Sequence, residues 1–278
     1  MLKIGEGKSV NISNWLKMNT NVLYISSKAP VSCRMEQKLK EVLPHLSGQY
    51  RRLPVLDKAR HVRGVISATD VLRVLSGLGK KRYRVKNLTD VKVKGVMHPH
   101  VLHIDKNMHV KDVIEFFKQH RKGAYPVTYR KELVGMVSEW DVIRQIRGRT
   151  KLKVSDVMVR RPMTAQEHHS VADIAGMLSM GGFRRLPVVK NDILVGLVTP
   201  RDVLSFLQEN RLFNKLREQK QPVSRIMKKN PYTVQAGAEL YEAVRIMVSR
   251  KIGGLPVLEE HELVGIITER DIVDVVDF

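Results

Sequence analysis

Apolar and polar positions along this chain switch repeatedly between two periods. In "SVADIAGMLSM", Val171, Ile174, Met177 and Leu178 fall on one face of a 3.6-residue turn. Ser170 and Asp173 open that stretch as a Ser/Thr-x-x-Asp/Glu start, so a helix is predicted there. Downstream, "LPVV" and "VGLVT" are short apolar runs separated by the polar turn "KNDI", which predicts a β-hairpin. The stretch "LVTPRDVLSF", Leu197 to Phe206, then begins as a strand and ends as a helix. Thr199 suits the N-cap, Pro200 the first helical position, and Asp202 the third, where an acid completes a capping box.

That strand-to-helix joint occurs four times. It reads "RGVISATDVLRVL", "VGMVSEWDVIRQI", "VGLVTPRDVLSFL" and "VGIITERDIVDVV", and its glycines are Gly64, Gly135, Gly196 and Gly265. About ten residues earlier stands an apolar strand built on Pro54, Pro126, Pro187 or Pro256. A further element, "VKGVMHPHVLHI", "VSDVMVRRPMTA" or "VSRIMKKNPYTV", opens repeats two to four; repeat one reads "LKMNTNVLYI" and is expected to lack the opening proline. Each repeat is predicted as strand, helix, strand, strand, helix. A unit this short buries little surface alone, so repeats are expected to share cores in pairs. Chain order places one pair at 1–150, with repeats about 15–77 and 91–148. The other falls at 151–278, with repeats about 153–209 and 222–278.

Composition narrows the classes. The chain has 278 residues, 43% of them apolar, which supports a packed core. The one cysteine, Cys33, excludes an internal disulfide framework, and no apolar run approaches a membrane span. The N-terminal residues lack the apolar stretch of a signal peptide, and a cytoplasmic protein is expected. The net charge of +21 is uneven, with +18 in residues 1–150 and +3 in the remainder. An acidic partner for the first half follows as an expectation. Lys80, Lys81, Arg82, Arg84 and Lys86, around Tyr83, are the residues suited to RNA or DNA.

Together the Met-x-x-x-Pro opening, the LPVV strand and the Gly-φ-φ-Ser/Thr-x-x-Asp joint, with φ aliphatic, resemble the CBS-domain repeat. Four copies in one chain are similar to the group that holds the gamma subunit of AMP-activated protein kinase and stand-alone archaeal proteins. The resemblance implies an α/β (α+β) fold of two tandem CBS pairs and a non-catalytic regulatory or energy-sensing role. It further implies AMP, ADP or ATP bound between repeats, with no other cofactor required. In that family the Ser or Thr touches phosphate or ribose, the Asp accepts from ribose hydroxyls, and the LPVV backbone flanks adenine. S-adenosylmethionine or a related nucleoside is an alternative ligand, and a nucleic-acid-binding scaffold an alternative function. One chain closing on itself and two chains forming a homodimer both fit the repeat count.

The Ser/Thr and Asp positions are Ser67 and Asp70, Ser138 and Asp141, Thr199 and Asp202, and Thr268 and Asp271. All four pairs exist, so their neighbours rank the sites. Repeat three adds Arg184, Arg185, Pro187, Arg201 and Thr164 and ranks first, because a helix cap accounts for Thr199 and Asp202 but not for three arginines. Repeat four has Thr233, Pro256 and Arg270 but glycines at the Arg184–Arg185 positions. Repeat one has Arg51 and Arg52. Repeat two ranks last, because Glu139 puts an acid where phosphate would sit.

Other chemistry is weak. "GEGKS" lacks the first glycine of a P-loop, and the HExxH, G-x-S-x-G and CxxC patterns are missing, so no enzyme is expected. His98, His100 and His103 gather without a carboxylate or cysteine, and no metal site is expected. His169 is placed near the third-repeat site, and Cys33 is read as an unreactive thiol.

Overall fold

A computed structural model describes residues 9–13, 17, 19–78, 87 and 90–277. Each repeat carries its hairpin between two helices, as the pattern predicts. In repeat three these are Val171–Met180, Leu186–Lys190 with Ile193–Val198, and Pro200–Glu209. Repeats one, two and four follow the same order around Arg52–Leu56, Ala124–Tyr129 and Gly254–Glu259. Hairpin register is preserved, with Pro54 opposite Val65, Pro126 opposite Met136, Pro187 opposite Leu197 and Pro256 opposite Ile266.

Every hairpin grows into a four-stranded sheet by the same two additions. A two-residue strand of its own repeat joins parallel, as Ala165–Gln166 joins Leu186–Lys190. The outer strand comes from the opening element of the neighbouring repeat. His98–Pro99 of repeat two pairs with Val62–Ser67 of repeat one, and Ser27–Lys28 of repeat one pairs with Glu132–Ser138 of repeat two. Repeats three and four exchange Lys228–Lys229 and Val159–Arg160 in the same manner. The exchange thus ties one with two and three with four, as tandem pairs.

This exchange explains why the joint needs its glycine. A Cβ on Gly196 would lie 2.3 Å from Met227 Sδ, and one on Gly265 would lie 2.6 Å from Met158 Sδ. The glycine of one repeat and the opening methionine of its neighbour are therefore two halves of one contact. The same frame corrects the reading of repeat one. Its opening strand is Ser27–Lys28, so Ser26 stands in the methionine's position and Pro30 is the opening proline after all. The element escaped notice because serine replaces the residue that marks it.

After each donated strand the chain turns through a left-handed residue that is not glycine: Ala29, His100, Arg161 or Asn230, with φ of 47°, 53°, 48° and 48°. Such a conformation costs roughly 1 kcal/mol or more and survives only where its surroundings fix it. At or just beyond these turns the chain passes from one compact unit to the other. One unit holds residues 1–29, 102–162 and 231–278, and the other holds 30–101 and 163–230.

The apolar cores follow the units and not the expected halves that meet near residue 150. In the 1–3 unit, Leu39, Leu43, Leu46 and Leu72 of repeat one pack with Ile174, Leu178, Val203 and Leu204 of repeat three. In the 2–4 unit, Ile114, Phe117, Tyr125 and Val142 of repeat two pack with Leu240, Val244, Met247 and Ile272 of repeat four. The reason is geometric. The strands satisfy the sequence neighbour, while the helices of each repeat leave an apolar face that only a second helix pair can cover.

Gly196→Ala should lower the unfolding midpoint by an amount matching about 1–3 kcal/mol, the usual cost of overpacking a core. Adding Met227→Ala should recover much of it. Thermal unfolding of both variants checks this, and no recovery would mean the glycine serves something other than the methionine contact.

Candidate functional site

At all four joints the Ser or Thr and the Asp three residues later bind each other. Thr199 N donates to Asp202 Oδ2 at 2.7 Å and Thr199 Oγ1 donates to the same oxygen at 2.6 Å. The hydroxyl bonds are 2.6 Å at Ser67–Asp70, 2.6 Å at Ser138–Asp141 and 2.7 Å at Thr268–Asp271. The cap predicted from sequence is therefore formed in every repeat. Capping occupies one carboxylate oxygen, so the four joints differ in what meets the other. Asp70 Oδ1 faces Arg73 at 3.6 Å and Asp141 Oδ1 faces Arg144 at 3.3 Å. In repeats three and four the corresponding residues are Ser205 and Asp274. Among the described residues no ion pair reaches Oδ1 of Asp202 or Asp271.

The hairpins set the remaining candidates beside these caps. Arg52 lies opposite Ser67 in the ladder, and Gly254 opposite Thr268. Arg184 and Arg185 lead directly into Leu186, whose partner Val198 precedes Thr199. Pro187 and Pro256 are buried within their strands, and Thr164 and Thr233 are half-buried, each just before a parallel strand. Main-chain bonds anchor the helix starts: Ala68 N donates to Arg51 O, Glu139 N to Gly123 O and Glu269 N to Gly253 O. Pro200 has no N–H to give, so repeat three lacks this tie.

The 1–3 unit is rich in cations, with net charge +16 over its residues against +5 for the rest of the chain. It assembles the caps of Ser67 and Thr199 with Arg51, Arg52, Arg184, Arg185 and Arg201. Arg201 is the unusual member. Its Nε is buried and meets no acceptor, and no ion pair reaches its guanidinium among the described residues. Burial, and then the neighbouring Arg51, push its pKa down. Asp202 beside it pulls the other way, and a guanidinium stays charged in proteins, so Arg201 is a half-buried cation with one buried donor unmet. Beside it, burial raises the pKa of Asp202 despite the bonds from Thr199.

The 2–4 unit has the opposite character. Arg270, ranked from sequence as a cation available to a ligand, is tied through its Nε to Oε1 of Glu139. Glu139 is 0% exposed and Arg270 13%. Sequence placed Glu139 in repeat two as a local repellent, but it acts on the arginine of repeat four, 131 residues away. Asp141, Asp271 and Asp274 all have pKa values raised first by burial. Glu139 adds repulsion at Asp271 and Asp274.

Other sequence candidates have structural roles. The Cys33 thiol is buried, lies 3.7 Å from Pro54 O, and is pushed up to about 12 by desolvation. His169 Nδ1 accepts from Gln166 N at 3.3 Å, inside the turn that leads to the first helix of repeat three. Among the described residues no three His, Cys, Asp or Glu side chains are placed to hold a metal. No helix among them is long and apolar enough to cross a membrane. Lys80, Lys81, Arg82, Arg84 and Lys86 lie outside the described residues.

The charge on Asp202 has a stability consequence. A carboxyl whose pKa is raised on folding stabilises the fold below its unfolded pKa, and that contribution is lost as pH rises through the folded value. Asp202→Asn keeps an acceptor for Thr199 and removes the buried charge. Its urea midpoint should therefore gain on the wild type as pH rises from about 4 to about 7. A gap independent of pH would contradict this.

Comparison with known proteins agrees with the architecture. The family model for the CBS domain matches residues 18–77, 93–148, 154–209 and 223–277. Protein MJ1225 of Methanocaldococcus jannaschii is 28% identical over 252 residues, covering 84% of this chain and 90% of that protein. Its crystal structure, described as that of a candidate archaeal homologue of the AMP-activated kinase gamma subunit, superposes with a TM-score of 0.82 over 91% of this chain and 99% of that one. A 33.4 kDa protein of the ribosomal RNA operon in Thermofilum pendens is 27% identical over 80% of this chain and 79% of its own length. A Pyrococcus horikoshii protein of 20% identity shares the fold, with a TM-score of 0.62 over 92% of this chain and 99% of that one.

Proposed function

Given that the chain belongs to the CBS-domain family, with four copies of the repeat, we propose that it is a non-catalytic sensor of adenine nucleotides. AMP, ADP or ATP would be taken up at the third-repeat joint. The observation that carries this reading is the pairing of Arg201 with Asp202. One is a half-buried guanidinium whose buried Nε has no acceptor; the other is a capped carboxylate whose second oxygen has no ion-pair partner among the described residues. A carboxylate oxygen suits two vicinal ribose hydroxyls, and a guanidinium suits phosphate, so a ribonucleotide answers both demands at once. The adenine base follows from the family resemblance.

An uncharged nucleoside would leave the Arg201 Nε without an anionic acceptor, which favours ligands that carry phosphate. Regulation then requires one conformation to bind nucleotide better than another, so that occupancy changes the surface offered to a partner. The cytoplasm, where these nucleotides are abundant, is the compartment this role fits.

Calorimetry with AMP, ATP and S-adenosylmethionine tests the reading. Arg201→Gln and Asp202→Ala should each weaken nucleotide binding by about tenfold or more, the loss expected for a charge-assisted contact. Equal affinities in the variants and the wild type, or tighter binding of S-adenosylmethionine than of either nucleotide, would sink it.

A further inference from the structure

The two units repeat one arrangement with one charge changed. In the 2–4 unit, the residue after Ser138 is Glu139, and it holds Arg270, the second residue after Thr268. The same positions in the 1–3 unit are Ala68, after Ser67, and Arg201, the second residue after Thr199. The helices that carry them pack together in both units, Glu139–Ile143 with Glu269–Val275 and Ala68–Leu75 with Pro200–Glu209. Ala68 N bonds Arg51 O, and the charge of Arg51 is felt at Arg201, which sets Ala68 on the same side of the unit. Ala68 is buried, at 5% exposure, and brings no oxygen. Arg201 accordingly has an unmet Nε, whereas Arg270 does not.

We propose that Glu139 is a built-in counter-ion that fills the place of ligand phosphate on Arg270, so that the 2–4 unit rejects polyphosphates which the 1–3 unit accepts. This deepens the nucleotide reading and rests on it for the identity of the anion at Arg201. A phosphate arriving at Arg270 must displace a carboxylate that is already desolvated and bonded. It must also approach the buried acids Glu269 and Asp141 and the half-buried Asp271 and Asp274. At Arg201 no carboxylate forms an ion pair among the described residues, and its buried Nε is open to an acceptor. The molecule therefore sorts ligands by charge through one residue position, Ala68 against Glu139.

Titration calorimetry of the full chain with ATP and with inorganic tripolyphosphate tests this in wild type, Glu139→Gln, Glu139→Gln/Arg270→Gln and Ala68→Glu. Glu139→Gln should add a class of polyphosphate sites that the wild type lacks, and the double variant should lose it again. Ala68→Glu should weaken the Arg201-dependent class by about tenfold or more. A folded Glu139→Gln protein that titrates like the wild type overturns the proposal, even if Arg201-dependent ATP binding is intact and the nucleotide reading stands. Should the wild type bind no polyphosphate, the nucleotide reading narrows to AMP and the claim that the 1–3 unit accepts polyphosphates falls. New Arg270-dependent binding in Glu139→Gln would then still support the counter-ion role, and none would overturn it. Should Glu139→Gln fail to fold, Ala68→Glu decides: unchanged polyphosphate affinity overturns the proposal and the tenfold loss supports it.

Discussion

The structure depends on one constraint: a CBS repeat cannot cover the apolar faces of its own two helices. A hairpin and two helices leave an exposed seam, and only a second set of helices can fill it. Here repeat one fills that seam with repeat three, and repeat two with repeat four. Strand exchange meanwhile binds each repeat to its neighbour in sequence. The chain thus satisfies backbone hydrogen bonding with one partner and apolar burial with another. Four left-handed turns at or beside the unit boundaries, none at glycine, follow from that division.

Helix packing also decides the chemistry. Because the helix after each Ser/Thr-x-x-Asp joint packs on its counterpart from a distant repeat, residues beside one cap are brought to residues beside the other. In one unit this sets an acid against an arginine, and both charges are satisfied. In the other an alanine stands at the acid's position, and the buried Nε of Arg201 meets no acceptor. Removing one partner from a buried pair typically costs about 3–5 kcal/mol, because the survivor is left uncompensated. Arg201 differs from that pair in having one buried donor, Nε, that meets no acceptor.

Much of this was legible in the residues. The strand-to-helix joint could be read because cap, proline and acid occupy fixed positions, and local backbone demands do not change with context. The hairpins and amphipathic helices were equally plain. Repeat one's opening strand was missed because Ser26 replaces methionine, and the glycine it contacts lies in a different repeat. Arg270 was overvalued because its partner is 131 residues distant and belongs to a repeat judged on its own terms.

Sequence by itself determined the repeat, its elements, their register and the four caps, because each is set by interactions within a few turns of chain or across one hairpin. Tertiary structure alone decided which repeats share a core. Four nearly equivalent apolar faces carry no mark of their partner, and connectivity points to the neighbour while packing chooses otherwise. That choice in turn decided which charges are spent internally and which remain, since ion pairing acts through space at a few ångströms and takes no account of sequence separation. Ala68 and Glu139 occupy the same position in the repeat; only their surroundings reveal that one leaves an arginine Nε without an acceptor and the other bonds one.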